Sequence, residues 1–176
     1  MSKSVLDQLK EHTVVVADTG DFSSIEQYAP RDATTNPSLI LKASKQKEYA
    51  KLVNEVVLDA KKNGITDLNN VMDLLLVRFG LSILEVVPGR VSTEVDARLS
   101  FDKNASLEKA RSIISFYEQN GVARDRILIK LATTWEGVEV SRFLEKEGID
   151  AAEVPKLTQP ESNNENNKPK ITNIDS

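Results

Sequence analysis

From Thr13 to Lys146 the chain alternates short runs of strand type with longer stretches of helical period, and no other feature constrains the fold as much. The strand candidates are Thr13–Asp18, Ala33–Asn36, Arg90–Asp96 and Ile127–Ala132. Tyr49, Leu52, Val53, Val56, Val57 and Ala60 recur at the spacing of one helix face, and Gly64 ends that helix just after Lys61 and Lys62. Leu68, Val71, Met72, Leu75, Leu76, Phe79 and Ile83 make a second stripe. Leu74, Val77, Leu81 and Leu84 widen it, so this helix is expected to be covered on two sides. Leu107, Ala110, Ile113, Ile114 and Tyr117 make a third, closed by Gly121. Thr133 with Glu136 three residues on reads as a capping box that starts a helix reaching Lys146. Strands alternating with helices imply βα units and a parallel sheet. The sheet is then either open and doubly wound or the wall of a barrel. Nucleotide-binding open sheets begin with a glycine-rich turn, and the sequence contains no G-x-G-x-x-G or Walker-type motif.

Composition removes several kinds of chemistry. There is no cysteine, so disulfides, thiolate catalysis, iron–sulfur clusters and cysteine-built zinc sites are excluded. His12 is the single histidine, which excludes His-rich metal sites, and it is expected to end an N-terminal helix. The net charge of -4 lacks the basic footprint of a duplex nucleic-acid binder. The longest aliphatic run, Leu74–Val77, is far short of the roughly 20 apolar residues that span a bilayer. The polar first twelve residues carry no apolar signal core. These features place the chain in the cytoplasm, with no nucleic-acid or membrane partner.

Side chains alternate along a strand, so each run divides into two faces. Ile127, Ile129 and Leu131 share one face, opposite Leu128, Lys130 and Ala132. Val91, Thr93 and Val95 oppose Ser92, Glu94 and Asp96. Val14, Val16 and Asp18 lie together, as do Thr34 and Asn36. If the β-branched and aliphatic sets face the helices, Lys130, Glu94, Asp18 and Asn36 converge near the C-terminal ends of their strands. In a (β/α)8 barrel that end is the catalytic face. An ammonium inside Ile-Leu-Ile-Lys-Leu-Ala is costly to desolvate unless paired or neutralised. Desolvation favours the neutral amine, and a neutral amine is the nucleophile that forms a Schiff base with a carbonyl. Asp18 and Glu94 suit proton transfer, and Asn36 suits a substrate oxygen. On spacing alone a second reading stays open, in which Lys130 and Glu94 form only a structural ion pair. Trp135 is expected to pack at the start of its helix, with a place on the substrate rim as the alternative.

Asp32-Ala33-Thr34-Thr35-Asn36-Pro37-Ser38-Leu39-Ile40 resembles the first transaldolase signature. Ile127-Leu128-Ile129-Lys130-Leu131-Ala132-Thr133-Thr134-Trp135-Glu136-Gly137 resembles the second, which carries the Schiff-base lysine. The segments Val15–Asp21 and Val91–Asp96 are also similar to transaldolase segments. This resemblance implies a TIM-type (β/α)8 barrel of the non-oxidative pentose phosphate pathway, with sugar phosphates as its partners. The implied reaction transfers a dihydroxyacetone unit from sedoheptulose 7-phosphate to glyceraldehyde 3-phosphate, with no cofactor and no metal. Carried over residue by residue, Lys130 is the Schiff-base nucleophile. Glu94 is the acid/base acting through a water, and Asp18 moves the proton at C–C cleavage. Asn36 and Thr34 line the donor site.

The resemblance runs to about residue 149. There the family continues into a fifth strand bearing an Asn and a Thr, and later strands add a Ser, a Phe and a phosphate-gripping Arg. Here Asp150-Ala151-Ala152-Glu153 leads into a stretch rich in Asn and Pro, with no glycine and no aromatic residue. Residues 1–150 are therefore expected to supply about four βα units, half of a barrel, and 151–176 a disordered tail. A half-barrel has two open sheet edges, which invite pairing with another chain or closure as a homodimer. Besides an active transaldolase, the sequence admits a catalytically dead truncated isoform with an interaction role or none.

Overall fold

Five parallel strands, β1 Val16–Asp18, β2 Asp32–Thr34, β3 Val91–Glu94, β4 Ile127–Ala132 and β5 Ala151–Val154, pair in their order along the chain. They form the frame of the computed structural model, which describes residues 3–19 and 21–154. The order never doubles back, so the sheet has no topological switch point of the doubly wound kind. It is the wall of a partial (β/α)8-type barrel, which settles the choice that periodicity left open.

Helices connect the strands. α1 (Val5–Lys10) precedes β1, and α2 (Phe22–Tyr28) follows it. α3 (Pro37–Ala43), α4 (Ala50–Lys62) and α5 (Leu68–Leu84) lie between β2 and β3. α6 (Lys103–Gln119) leads from β3 to β4, and α7 (Trp135–Lys146) from β4 to β5. α4, α5 and α6 fall on the three apolar stripes, and α7 on the segment that the capping signal opened. α5 is covered twice, as its wide stripe requires. Val77 and Ile83 join the core under the sheet, while Leu75, Leu76 and Phe79 pack with Ile40, Tyr49 and Val56 of a second cluster. Phe79 and Tyr49 meet edge to face, with ring centroids 5.4 Å apart.

The main core lies between one sheet face and the helices. Val91, Ile127, Ile129 and Leu131 of the strands pack with Ile113 and Tyr117 of α6 and Val140 and Leu144 of α7. Each such aliphatic side chain contributes about 1.5–3 kcal/mol by leaving water. The alternation in β4 is complete: Ile127, Ile129 and Leu131 are buried, and Leu128, Lys130 and Ala132 are half-buried on the other face. On β1, Val16 is 50% exposed.

Three expectations are corrected. Residues 151–154 do not belong to a tail, because they form β5, with Lys130 opposite Ala152. The described residues therefore hold five strands rather than four, and the expected boundary at residue 150 falls too early. The rest of the expected tail, residues 155–176, lies outside the described residues. Ala-Ala-Glu-Val has one β-branched residue and no alternation, so nothing local marks it as a strand. Its existence depends on the open side of β4. Second, the cap of α7 is Thr134 rather than Thr133: the Thr134 hydroxyl accepts from Gly137 N–H at 3.0 Å. Third, β1 to β3 are shorter than their apolar runs.

Candidate active site

Local sequence sets each candidate side chain on its strand end. Thr35-Asn36-Pro37 stops β2, because the residue before proline is held extended and proline suits the first turn of a helix. Asn36 is the N-cap of α3, its Oδ1 accepting from Leu39 N–H at 2.9 Å. Thr35 is buried and donates to the carbonyl of Ser92 at 3.0 Å, which ties the end of β2 to β3. On β3, Thr93 turns to the helices and its Oγ1 meets Tyr117 Oη at 2.8 Å, both groups fully buried. Its neighbour Glu94 is thereby set on the opposite face. β4 gives way to α7 through a close approach at Gly137. A Cβ there would lie 2.0 Å from the Ala132 carbonyl oxygen, so the helix can start against the strand end only without a side chain.

Strand register brings four of the five candidates into one cluster. Glu94 is opposite Lys130 across β3 and β4, and Asp18 is opposite Thr34 across β1 and β2. A hydrogen bond from Lys130 Nζ to Thr34 Oγ1 joins the two pairs. Thr34 is 6% exposed, Lys130 and Glu94 are half-buried, and Asp18 is exposed. Among the described residues Lys130 and Glu94 do not form the ion pair that spacing alone allowed, and Lys130 Nζ donates instead to the neutral hydroxyl of Thr34. Burial pushes the Glu94 carboxyl above the ordinary carboxylate range, and the Lys130 charge opposes that push. A proton-binding carboxyl beside an amine on an accessible face can donate and accept protons in carbonyl chemistry.

Other residues fall differently. Asn36 stands next along the strand direction, but its Oδ1 is committed to the α3 cap, so the amide N–H groups are what it offers outward. Asp96, two residues beyond Glu94, leaves the cluster altogether. β3 has ended, and Asp96 caps the turn at Ala97–Leu99 and pairs with Arg98. Trp135 does not pack: it is 76% exposed at the first turn of α7, just beyond the lysine strand. Periodicity could not show this, because an aromatic at a helix start has no fixed face. Ser92 was visible only as a member of the Glu94 face. It is 5% exposed and sits opposite both Thr34 and Leu128, forming the floor under the cluster. Among the described residues no group of three or more His, Asp or Glu could hold a metal ion. No described helix is long and apolar enough to cross a membrane.

A parallel sheet wound in chain order, with a lysine and a carboxyl at adjacent strand ends, is a partial (β/α)8-type barrel wall with polar groups at the end where such barrels place their sites. The sequence profile of the transaldolase/fructose-6-phosphate aldolase family matches residues 15–152, and the chain belongs to that family. It is 57% identical over 154 residues to a transaldolase of Saccharomyces cerevisiae, covering 85% of this chain and 46% of the relative. It is 56% identical over 155 residues to a transaldolase of Nostoc punctiforme, with the same two shares of 85% and 46%. It is 56% identical over 148 residues to transaldolase A of Escherichia coli, covering 82% of this chain and 47% of the relative. The chain thus spans about half the length of the curated relatives it matches.

Proposed function

We propose that this chain carries the Schiff-base half of a transaldolase site, acting on ketose phosphates of the pentose phosphate pathway. The observation that carries the reading is Lys130 Nζ, held on a neutral hydroxyl at the open end of β4 with Glu94 opposite it. In this reading the neutral Lys130 amine attacks the C2 carbonyl of a donor such as sedoheptulose 7-phosphate. The C=O π pair moves to oxygen, which takes up a proton as nitrogen gives one up. Glu94, its proton affinity raised by burial, supplies that exchange through a water and then protonates the departing hydroxyl, leaving an imine. Asp18 accepts the proton of the C4 hydroxyl. The C3–C4 bond breaks, its electron pair moving into the enamine on Lys130 as an aldose phosphate leaves. Attack of the enamine on glyceraldehyde 3-phosphate makes the new bond, and water returns the amine. Asn36 and Thr34 line the donor, with the Asn36 amide donating to a substrate oxygen. The setting is the cytoplasm.

The test uses the 176-residue chain. Soluble protein is mixed with fructose 6-phosphate and borohydride, and the Lys130 peptide is weighed by mass spectrometry. An adduct that disappears in Lys130→Ala supports the imine. Absence of any adduct from folded protein overturns it and leaves family membership without this chemistry.

A further inference from the structure

Lys130 hydrogen-bonds to Thr34 and forms no salt bridge with the carboxylate opposite it, among the described residues. Thr34 is paired with Ser92, and Glu94 lies two residues beyond Ser92 on the same face. To reach Thr34 the lysine must therefore lean across β3, back past Glu94, onto the next strand. Thr34 is 6% exposed, so water competes poorly for the bond. The charged groups facing this amine are Glu94 on β3 and Asp18 on β1, while β5 places Ala152 opposite it. A carboxylate partner favours the ammonium, whereas a neutral acceptor directs the nitrogen without adding negative charge.

We infer that Thr34 is a positioning residue for Lys130, its hydroxyl holding Nζ away from Glu94 so that the amine stays free to attack and the carboxyl stays free to move protons. The inference rests on the Schiff-base reading of Lys130. It assigns Thr34 a task before substrate arrives, beyond lining the donor. Without the hydroxyl, the flexible lysine swings onto Glu94, and the ion pair makes it a poorer nucleophile near neutral pH.

The test is competitive acetylation of the 176-residue chain by acetic anhydride, read on the Lys130 peptide from neutral to alkaline pH. This readout needs no sugar. Thr34→Ser keeps the hydroxyl and is expected to overlay the wild type. Thr34→Val is expected to move the Lys130 profile about one pH unit upward, about tenfold slower at neutral pH. Thr34→Val with Glu94→Gln should return toward wild type, because the competing carboxylate is gone. Should valine disturb packing, as read by circular dichroism, Thr34→Ala removes the hydroxyl without adding bulk and carries the same expectation. A hydroxyl-free variant that overlays the wild type, or a Thr34→Ser profile displaced as far as Thr34→Val, overturns the inference. Shifted acetylation with no ketose adduct in any form would sink the enzymatic reading and leave the positioning role intact. A wild-type ketose adduct with unshifted acetylation would do the reverse.

Discussion

Replacing Tyr117 by Phe would remove one oxygen from a fully buried polar contact. Tyr117 and Thr93 are both 0% exposed, and their hydroxyls lie 2.8 Å apart, joining α6 to β3. Gly80 makes room for this contact, since a Cβ there would sit 1.9 Å from Tyr117 Oη. In Tyr117→Phe the Thr93 hydroxyl is stranded without water, which costs about 1–3 kcal/mol. Thr93→Val strands the phenol and costs about the same. The double variant leaves two apolar groups of similar shape in contact, so neither desolvation cost remains. It is expected to be less destabilised than the sum of the single variants by about 1–3 kcal/mol. Burial also pushes the Tyr117 phenol well above its ordinary pKa, so it stays protonated and the coupling should be unchanged at mildly alkaline pH. Urea unfolding of the wild type, the two singles and the double, followed by far-ultraviolet circular dichroism, gives the cycle directly. Additive losses, or a Tyr117→Phe protein as stable as wild type, would refute the idea that this hydrogen bond fixes α6 on β3.

Gly137→Ala pushes a methyl to within 2.0 Å of the Ala132 carbonyl, so α7 must pull away from β4. It should cost about 1–3 kcal/mol and lower the Lys130 adduct yield together, and loss of neither contradicts the close-approach reading. Thr134→Ala removes the α7 cap and the bond that Thr134 Oγ1 donates to the Ser100 carbonyl at 2.6 Å. A loss of about 0.5–2 kcal/mol in the urea midpoint analysis is expected, and none would argue against the cap. For Glu94 the sign follows from a folded-state pKa above the unfolded one. Its contribution to stability is complete below the unfolded value and is lost as pH rises through the folded value. Glu94→Gln should therefore match or exceed the wild type in stability at neutral pH, with the gap closing in acid, where both side chains are neutral. A variant less stable than wild type only at neutral pH would mean that Lys130 more than offsets the cost of burying this carboxylate.

The residues themselves determined the faces. Apolar spacing placed α4 to α6, a capping signal placed α7, and the alternation in Ile127–Ala132 put Lys130 on the side away from the helices. The same alternation set Glu94, Asp18 and Thr34 toward that side, because a strand has period two whatever it packs against. Pairing was another matter. The winding of the sheet in chain order, the strand at Ala151–Val154 and the exposure of Trp135 have no local signal. Asn36 reads equally well as a ligand or a cap until the helix after it is placed. Above all, Lys130 finds Thr34, 96 residues away, rather than the Glu94 directly opposite. A flexible side chain's choice between two acceptors depends on where three strands lie relative to one another, and only the assembled sheet supplies those distances.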